Sequence, residues 1–180
     1  MNHLWAITSK TFKMKKITFL SLLFLTVCSS VEAQTTDQLL DNFKILLVES
    51  RTDFRNIQGE MVEKDATGKT AYYVSQKTLG SPLEAICINS NDNTSYFSAK
   101  YDYANTNELL KASEILPGVL DVVNAMVQSG NYKGRDYTNS QKVGVTELKD
   151  LDGNYILEIE TGADNTYLRI TVFGKSWGKK

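Results

Sequence analysis

Residues 107–130 read NELLKASEILPGVLDVVNAMVQSG, and the reading of this stretch decides the fold. Leu109, Leu110, Leu116, Val119, Leu120, Val123, Met126 and Val127 recur at spacings of three and four. That period places them on one face of a helix. Thr106 or Asn107 suits its start, and Gly130 stands where a left-handed stop costs little. Strand-like runs flank it on both sides, so the helix is expected to lie across a sheet and fill its core. Pro117-Gly118 interrupts the pattern. An internal proline removes one hydrogen bond and clashes with the preceding turn, at about 3 kcal/mol or more. A kink, or a break into two short helices near Leu116, is therefore expected.

Working outward, Thr35-Thr36-Asp37 forms a capping cluster before a first helix that ends near Thr52. Leu39, Leu40, Phe43, Leu46, Leu47 and Ser50 trace its buried stripe, with Asp41, Lys44 and Glu49 facing out. Four strands are predicted next, over 57–63, 70–77, 84–89 and 95–103. Turn chemistry divides them: Gly68 in KDATGK, Leu79-Gly80-Ser81-Pro82, and the Asn/Asp-rich 90–94. After the central helix, 131–140 is polar and glycine-containing and reads as a loop. Three more strands, 142–148, 155–161 and 166–173, are joined by turns at Asp152-Gly153 and Ala163-Asp164-Asn165. Residues 174–180 read as a frayed tail.

The expected class is α+β, with an antiparallel sheet of about seven strands, two main helices on one face, and the order α-ββββ-α-βββ. Lys64-Asp65-x-x-Gly68 and Lys149-Asp150-x-x-Gly153 occupy similar places in the two halves, as in a loose duplication. The layout is similar to that of secretion chaperones and small inhibitors. That likeness is one of architecture and transfers no residue's role.

The N-terminal stretch reads as a leader. Lys15 and Lys16 give a positive start after Met14, and 17–28 is an apolar run. Twelve residues at about 1.5 Å rise cover roughly 18 Å, short of the ~30 Å bilayer core. Val31-Glu32-Ala33 offers a signal-peptidase site with cleavage between Ala33 and Gln34. Residues 1–13 then represent an over-long start, 14–33 a secretory signal peptide, and 34–180 a single domain. A rival reading takes Leu25-Thr26-Val27-Cys28, which resembles a bacterial lipobox, as a lipid-anchoring site at Cys28. Val27 departs from the small residue such a site normally has there.

The leader and the segment before it hold four of the 20 basic residues and one of the 21 acidic ones, leaving a net charge of −4 after position 33. That balance does not fit a nucleic-acid-binding domain. The only histidine, His3, precedes the cleavage point, and the only later cysteine is Cys87. The processed chain therefore has no intrachain disulfide and no imidazole for proton transfer or metal binding. No cofactor is expected.

Several patterns suggest chemistry and have plainer explanations. Asp150-Leu-Asp152-Gly153-Asn154 has the glycine in the wrong place for a calcium loop and reads as a hairpin turn. Glu49 and Asp53 would share a helical face, but Arg51 and Arg55 beside them suit a solvated surface better than a glycosidase pair. Glu158 and Glu160 alternate on the outer side of a strand. Cys87, between Ile86 and Ile88, reads as a small core hydrophobe with a raised pKa. Asn93-Thr94-Ser95 matches a glycosylation sequon.

The surplus lies in the tyrosines, all nine of which follow position 33. Strand propensity accounts for many of them. A solvent-facing aromatic strip is the functional alternative, because tyrosine joins area to a polar tip. Tyr72, Tyr96 and Tyr167, with Lys100 and Arg169 at alternating positions, would form such a strip. The expected protein is an exported, periplasmic or secreted, non-catalytic binding or adaptor domain. Its partner would be a protein or a glycan, not a nucleic acid. A carboxylate-dependent hydrolase and a small carrier of apolar ligands, with a closed pocket at Leu116, Val119 and Val123, are the alternatives.

Overall fold

The computed structural model describes residues 34–177; the leader, its cleavage point and Cys28 lie outside them. Helix α1 (Thr36–Glu49) is followed by a single 3-10 turn and strands β1 (Gln58–Lys64), β2 (Thr70–Ser75), β3 (Leu83–Asn89) and β4 (Ser95–Asp102). Helix α2 (Thr106–Gln128) leads into β5 (Tyr132–Thr138), β6 (Gly144–Asp150), β7 (Tyr155–Thr161) and β8 (Tyr167–Phe173). The eight strands form one antiparallel sheet in the order β1-β2-β3-β4-β8-β7-β6-β5. The class is α+β, with eight strands where seven were expected. Among the described residues no helix is long and apolar enough to cross a membrane.

The missing strand is β5. Its residues are almost all exposed, and Lys133, Gly134 and Arg135 hide any alternation. Charge on an edge strand blocks pairing with other chains, so such a strand does not announce itself by hydrophobicity. Gly134 is needed where α2 approaches: a Cβ there would lie 3.0 Å from Val127.

With β5 in place, the order becomes helix and four-strand meander, twice over, joined where β4 pairs with β8. This shifts the internal correspondence. Asp65–Gly68 joins β1 to β2, and its counterpart is Asn139–Lys142 between β5 and β6, not Asp150–Gly153 between β6 and β7. In both, the side chain that opens the turn accepts from backbone N–H groups within it. Asp65 Oδ1 accepts from the Lys69 and Thr70 N–H groups, and Asn139 Oδ1 from those of Gln141 and Val143.

Helix α1 starts with a capping box between Thr35 and Gln38. It buries Leu39, Phe43 and Leu46, as its periodicity requires. Helix α2 is capped by Asn105, one residue before the expected position, and stops before Gly130 at φ 76°. It buries Ala112, Ile115, Val119 and Val123, while Leu109, Leu110 and Val127 are exposed. The buried line thus runs beside the expected one, through two residues the apolar count passed over.

Pro117 does not break α2, which runs through it as one helix. The ring lies on the exposed face, so the Ser113 carbonyl that loses its partner faces solvent. Gly118 has a packing reason. A Cβ there would stand 3.1 Å from Leu40 Cδ2, so the glycine lets α1 lie close across α2.

Both helices cover the same face of the sheet. They meet Ile86, Phe97, Ala99, Tyr101, Leu148, Leu157, Ile159, Leu168, Ile170 and Val172, all of one strand parity. The residues of opposite parity form a face without a helix.

Residues 174–177 are tied down, contrary to the expected fraying, and 178–180 lie outside the described residues. Asp53 adopts φ 55°, which ends the first helical segment and takes Asp53 off any face shared with Glu49. Its Oδ1 accepts from Ser95 Oγ (2.9 Å), the Ser176 N–H (2.9 Å) and Ser176 Oγ (2.7 Å). The Lys175 N–H also donates to the Ser50 carbonyl at 2.8 Å. A Cβ on Gly174 would collide with Ser95 and come within 2.6 Å of Asp53 Oδ1. Burial pushes the Asp53 pKa up, but the bonds from Ser176 and Ser95 outweigh it and hold the carboxyl below its ordinary range.

Candidate functional site

The uncovered face is concave, with a volume of about 1020 Å³. Strand register builds its lining row by row. Leu83, Lys100, Arg169 and Glu160 stand opposite one another on β3, β4, β8 and β7. The next row is Ala85, Ser98, Thr171, Glu158 and Glu147. The third holds Tyr72, Cys87, Tyr96 and Phe173.

The five residues singled out from the sequence come together here. Tyr72, Tyr96, Lys100 and Arg169 line the concavity. Tyr167 lies beside it beneath two cations, Lys100 Nζ at 5.0 Å and the Arg169 guanidinium at 5.4 Å from its ring centre. Arg169 also pairs with Glu160 at 2.8 Å.

Two aromatic residues, Trp177 and Tyr155, were not foreseen as part of this surface. Trp177 packs its ring 4.9 Å from Phe173 and 5.5 Å, edge-on, from Tyr96. The Asp53 bonds to Ser176 set its position, and a contact spanning 123 residues leaves no local signal. Tyr155 reaches the face through a bulge. Between the pairs Leu148↔Leu157 and Lys149↔Tyr155, β7 advances two residues while β6 advances one. The extra residue turns Tyr155 outward, 5.5 Å from Phe173. Tyr155, Phe173 and Trp177 also wall a smaller hollow of about 320 Å³ bordered by Tyr132 and Asn154.

Three carboxylates crowd this face. Glu147 is buried and pairs with Lys149 at 2.9 Å, and Lys149 Nζ also lies 3.9 Å from the Tyr155 ring centre. Glu160 holds Arg169. Glu158 lies between them, directly opposite Glu147 and two residues from Glu160. It takes no ion pair or hydrogen bond among the described residues. Burial, then the charges of Glu160 and Glu147, push its pKa above the usual carboxylate range.

The other candidates have local duties. Glu49 accepts from Thr52 Oγ1 and Asn56 Nδ2. Asp150 accepts from the Asn154 N–H and Nδ2, which makes 150–154 a hairpin turn, with Gly153 at φ 86°. Cys87 lies between Tyr72 and Tyr96, 3% exposed, and burial pushes its thiol up to about 11. Glu84 accepts from the Leu79 N–H, and the Tyr101 hydroxyl donates to the Leu79 carbonyl, so the pair braces the link before β3. Asn93 is exposed in the β3–β4 turn. Leu116 borders a surface depression of about 440 Å³ with Leu120 and Ile159, while Val119 and Val123 are packed in the core.

Among the described residues, no three His, Cys, Asp or Glu side chains converge closely enough to hold a metal ion. No protein-family model matches the chain, and no curated protein matches it.

Proposed function

We propose that the domain is exported and works by binding, without catalysis, through the uncovered face of its sheet. The observation that carries this is the concavity itself. It gathers tyrosine, tryptophan and phenylalanine rings with paired charges on a surface that the fold does not cover. Large rings with polar tips beside oriented charges are the usual makings of a contact surface. Mass spectrometry of the native protein tests export: processing leaves Gln34 first, whereas lipid anchoring leaves a modified Cys28. The binding face is tested by cross-linking in the envelope and in the medium. Arg169→Ala and Trp177→Ala should remove partners that the wild type captures, while the outward Lys44→Ala on α1 leaves them in place. Equal capture by all variants refutes the assignment.

Glu158 and Glu160 favour a second reading, a carboxylate hydrolase. They stand two residues apart on one strand, so their Cα atoms are about 6.7 Å apart. Burial and like charge push Glu158 toward the protonated form, as a general acid in a glycosidase requires, and Glu160 is held by Arg169 at 2.8 Å. Hydrolysis of a glycoside panel, lost in both Glu158→Gln and Glu160→Gln, would establish it over binding alone.

A further inference from the structure

The smaller hollow of about 320 Å³ shares Tyr155, Phe173 and Trp177 with the groove, and Tyr132 and Ile156 complete its apolar wall. The shared rings are fixed against one another. Phe173 stands 5.5 Å from Tyr155 and 4.9 Å from Trp177, with the planes tilted by 59° and 40°. A ligand's ring can meet such walls edge-on or in offset contact. Small-molecule sites run from about 300 to 1,000 Å³, so this volume suits one ring with a short arm rather than a chain.

Three charged residues border the hollow: Arg51, Asp150 and Lys175. The acid is already engaged. Asp150 Oδ1 accepts from the Asn154 N–H at 2.8 Å, and its Oδ2 accepts from Asn154 Nδ2 at 2.7 Å. The cations are not. Among the described residues neither Arg51 nor Lys175 is in an ion pair, and neither side chain makes a hydrogen bond. Charges just outside the lining are taken up as well, Lys149 over the Tyr155 ring by Glu147, and Asp53 by Ser95 and Ser176. The fold nevertheless brings the two cations together, because the Lys175 N–H donates at 2.8 Å to the carbonyl of Ser50, the residue before Arg51. Like charges held close repel, and an anion seated between them replaces that repulsion with attraction. Arg51 offers a fork matched to a carboxylate, and Lys175 a point charge. Both are exposed, so water limits the combined gain to about tenfold in affinity.

Beyond the binding face proposed above, we infer that this hollow is a separate site for a small aromatic carboxylate. One planar ring sits among Tyr132, Tyr155, Phe173 and Trp177, and its carboxylate lies between Arg51 and Lys175. The rings supply the contact area, and the two unpaired cations supply the choice of charge.

The test uses residues 34–180, which carry the whole described core and hold Trp177 as their sole tryptophan. Its fluorescence is titrated at fixed ionic strength with phenylacetate, with the uncharged phenylacetamide, with acetate and with phenethylamine. Phenylacetate should saturate the signal with Kd of about 1 mM, and phenylacetamide and acetate should each bind at least about tenfold more weakly. Arg51→Gln combined with Lys175→Gln should weaken phenylacetate about tenfold and leave phenylacetamide within about twofold. Arg51→Glu combined with Lys175→Glu should reverse the preference toward phenethylamine, which a merely structural role cannot do. Equal binding of phenylacetate and phenylacetamide, undiminished phenylacetate binding in the glutamine variant, or no response up to about 20 mM overturns the inference. If phenylacetate fails while Arg169→Ala still loses partners, this inference falls alone and the binding face stands. If phenylacetate binds as stated while every groove variant keeps its partners, the hollow stands and the binding face falls.

Discussion

Replacing Asp53 by alanine should loosen the C-terminal segment and disturb the groove from outside it. The carboxylate accepts three hydrogen bonds on one oxygen, from Ser95 Oγ and from the N–H and Oγ of Ser176. Bonds to a charged acceptor are worth about 1.5–3 kcal/mol each when independent. These three share an oxygen and Asp53 is partly exposed, so about 2 kcal/mol for the set is the sounder figure. Alanine must also hold the left-handed backbone at φ 55°, which adds about 1 kcal/mol. A loss of about 3 kcal/mol lowers Tm by about 6–12 °C in a chain of this size.

The pH dependence of that loss has a definite sign. The folded Asp53 carboxyl titrates below its ordinary 3.8. Its contribution is therefore fully present above the unfolded value and is lost as pH falls through the folded one. Wild type and Asp53→Ala should differ most at neutral pH, and the gap should narrow to the backbone contribution as pH falls through the folded value. Thermal unfolding followed by circular dichroism between pH 2 and pH 7 measures this, and Trp177 emission should shift to the red in the variant. A Tm within about 2 °C of wild type at neutral pH, with unchanged emission, would refute the tethering role.

Three further outcomes follow from the fold. Pro117→Ala restores an N–H for the Ser113 carbonyl on an exposed helical face and should stabilise the domain by about 2 kcal/mol, read by urea unfolding; no gain would mean the helix is already distorted to suit proline. Gly118→Leu drives a side chain into Leu40, which a Cβ alone would approach to 3.1 Å, and should cost about 1–3 kcal/mol by the same assay. Glu158→Gln should raise Tm at pH 7, because the folded carboxyl titrates above its ordinary 4.5 and its ionised form opposes folding there. The gain should disappear below about pH 4, where both states of the wild type are protonated; a gain independent of pH would point to packing.

The helices and most of the seven strands were legible because each buries one side; β1 buries none of its residues and was bounded by the turn at Gly68. Alternation in Phe97, Ala99 and Tyr101 against Tyr96, Ser98 and Lys100 is the burial pattern of β4 itself. Strand β5 buries almost nothing and so leaves no such trace. The same parity made part of the candidate surface readable, since tyrosines and cations on alternate residues had to share a face. Trp177 and Tyr155 were hidden for separate reasons: a distant tether places the first and a bulge turns the second. Glu158 was legible on the outer side of its strand, but its crowding by Glu147 on the neighbouring strand was not. Pro117-Gly118 misled because its two residues act separately, one at the solvent and the other at a helix crossing. Leu109 and Leu110 show that apolar residues at helical spacing need not face the core.

The junction of β4 with β8 sets an order on assembly. Every other neighbouring pair in the sheet is joined by a nearby stretch of chain, so each meander zips up locally. Strand β4 sits in the middle of the sheet, yet its second neighbour is the last of these eight strands to be made. Until Tyr167 and the residues after it emerge, the first half exposes a bare central edge suited to pairing with another nascent chain. Truncation before β8 should therefore yield aggregates rather than a smaller folded protein.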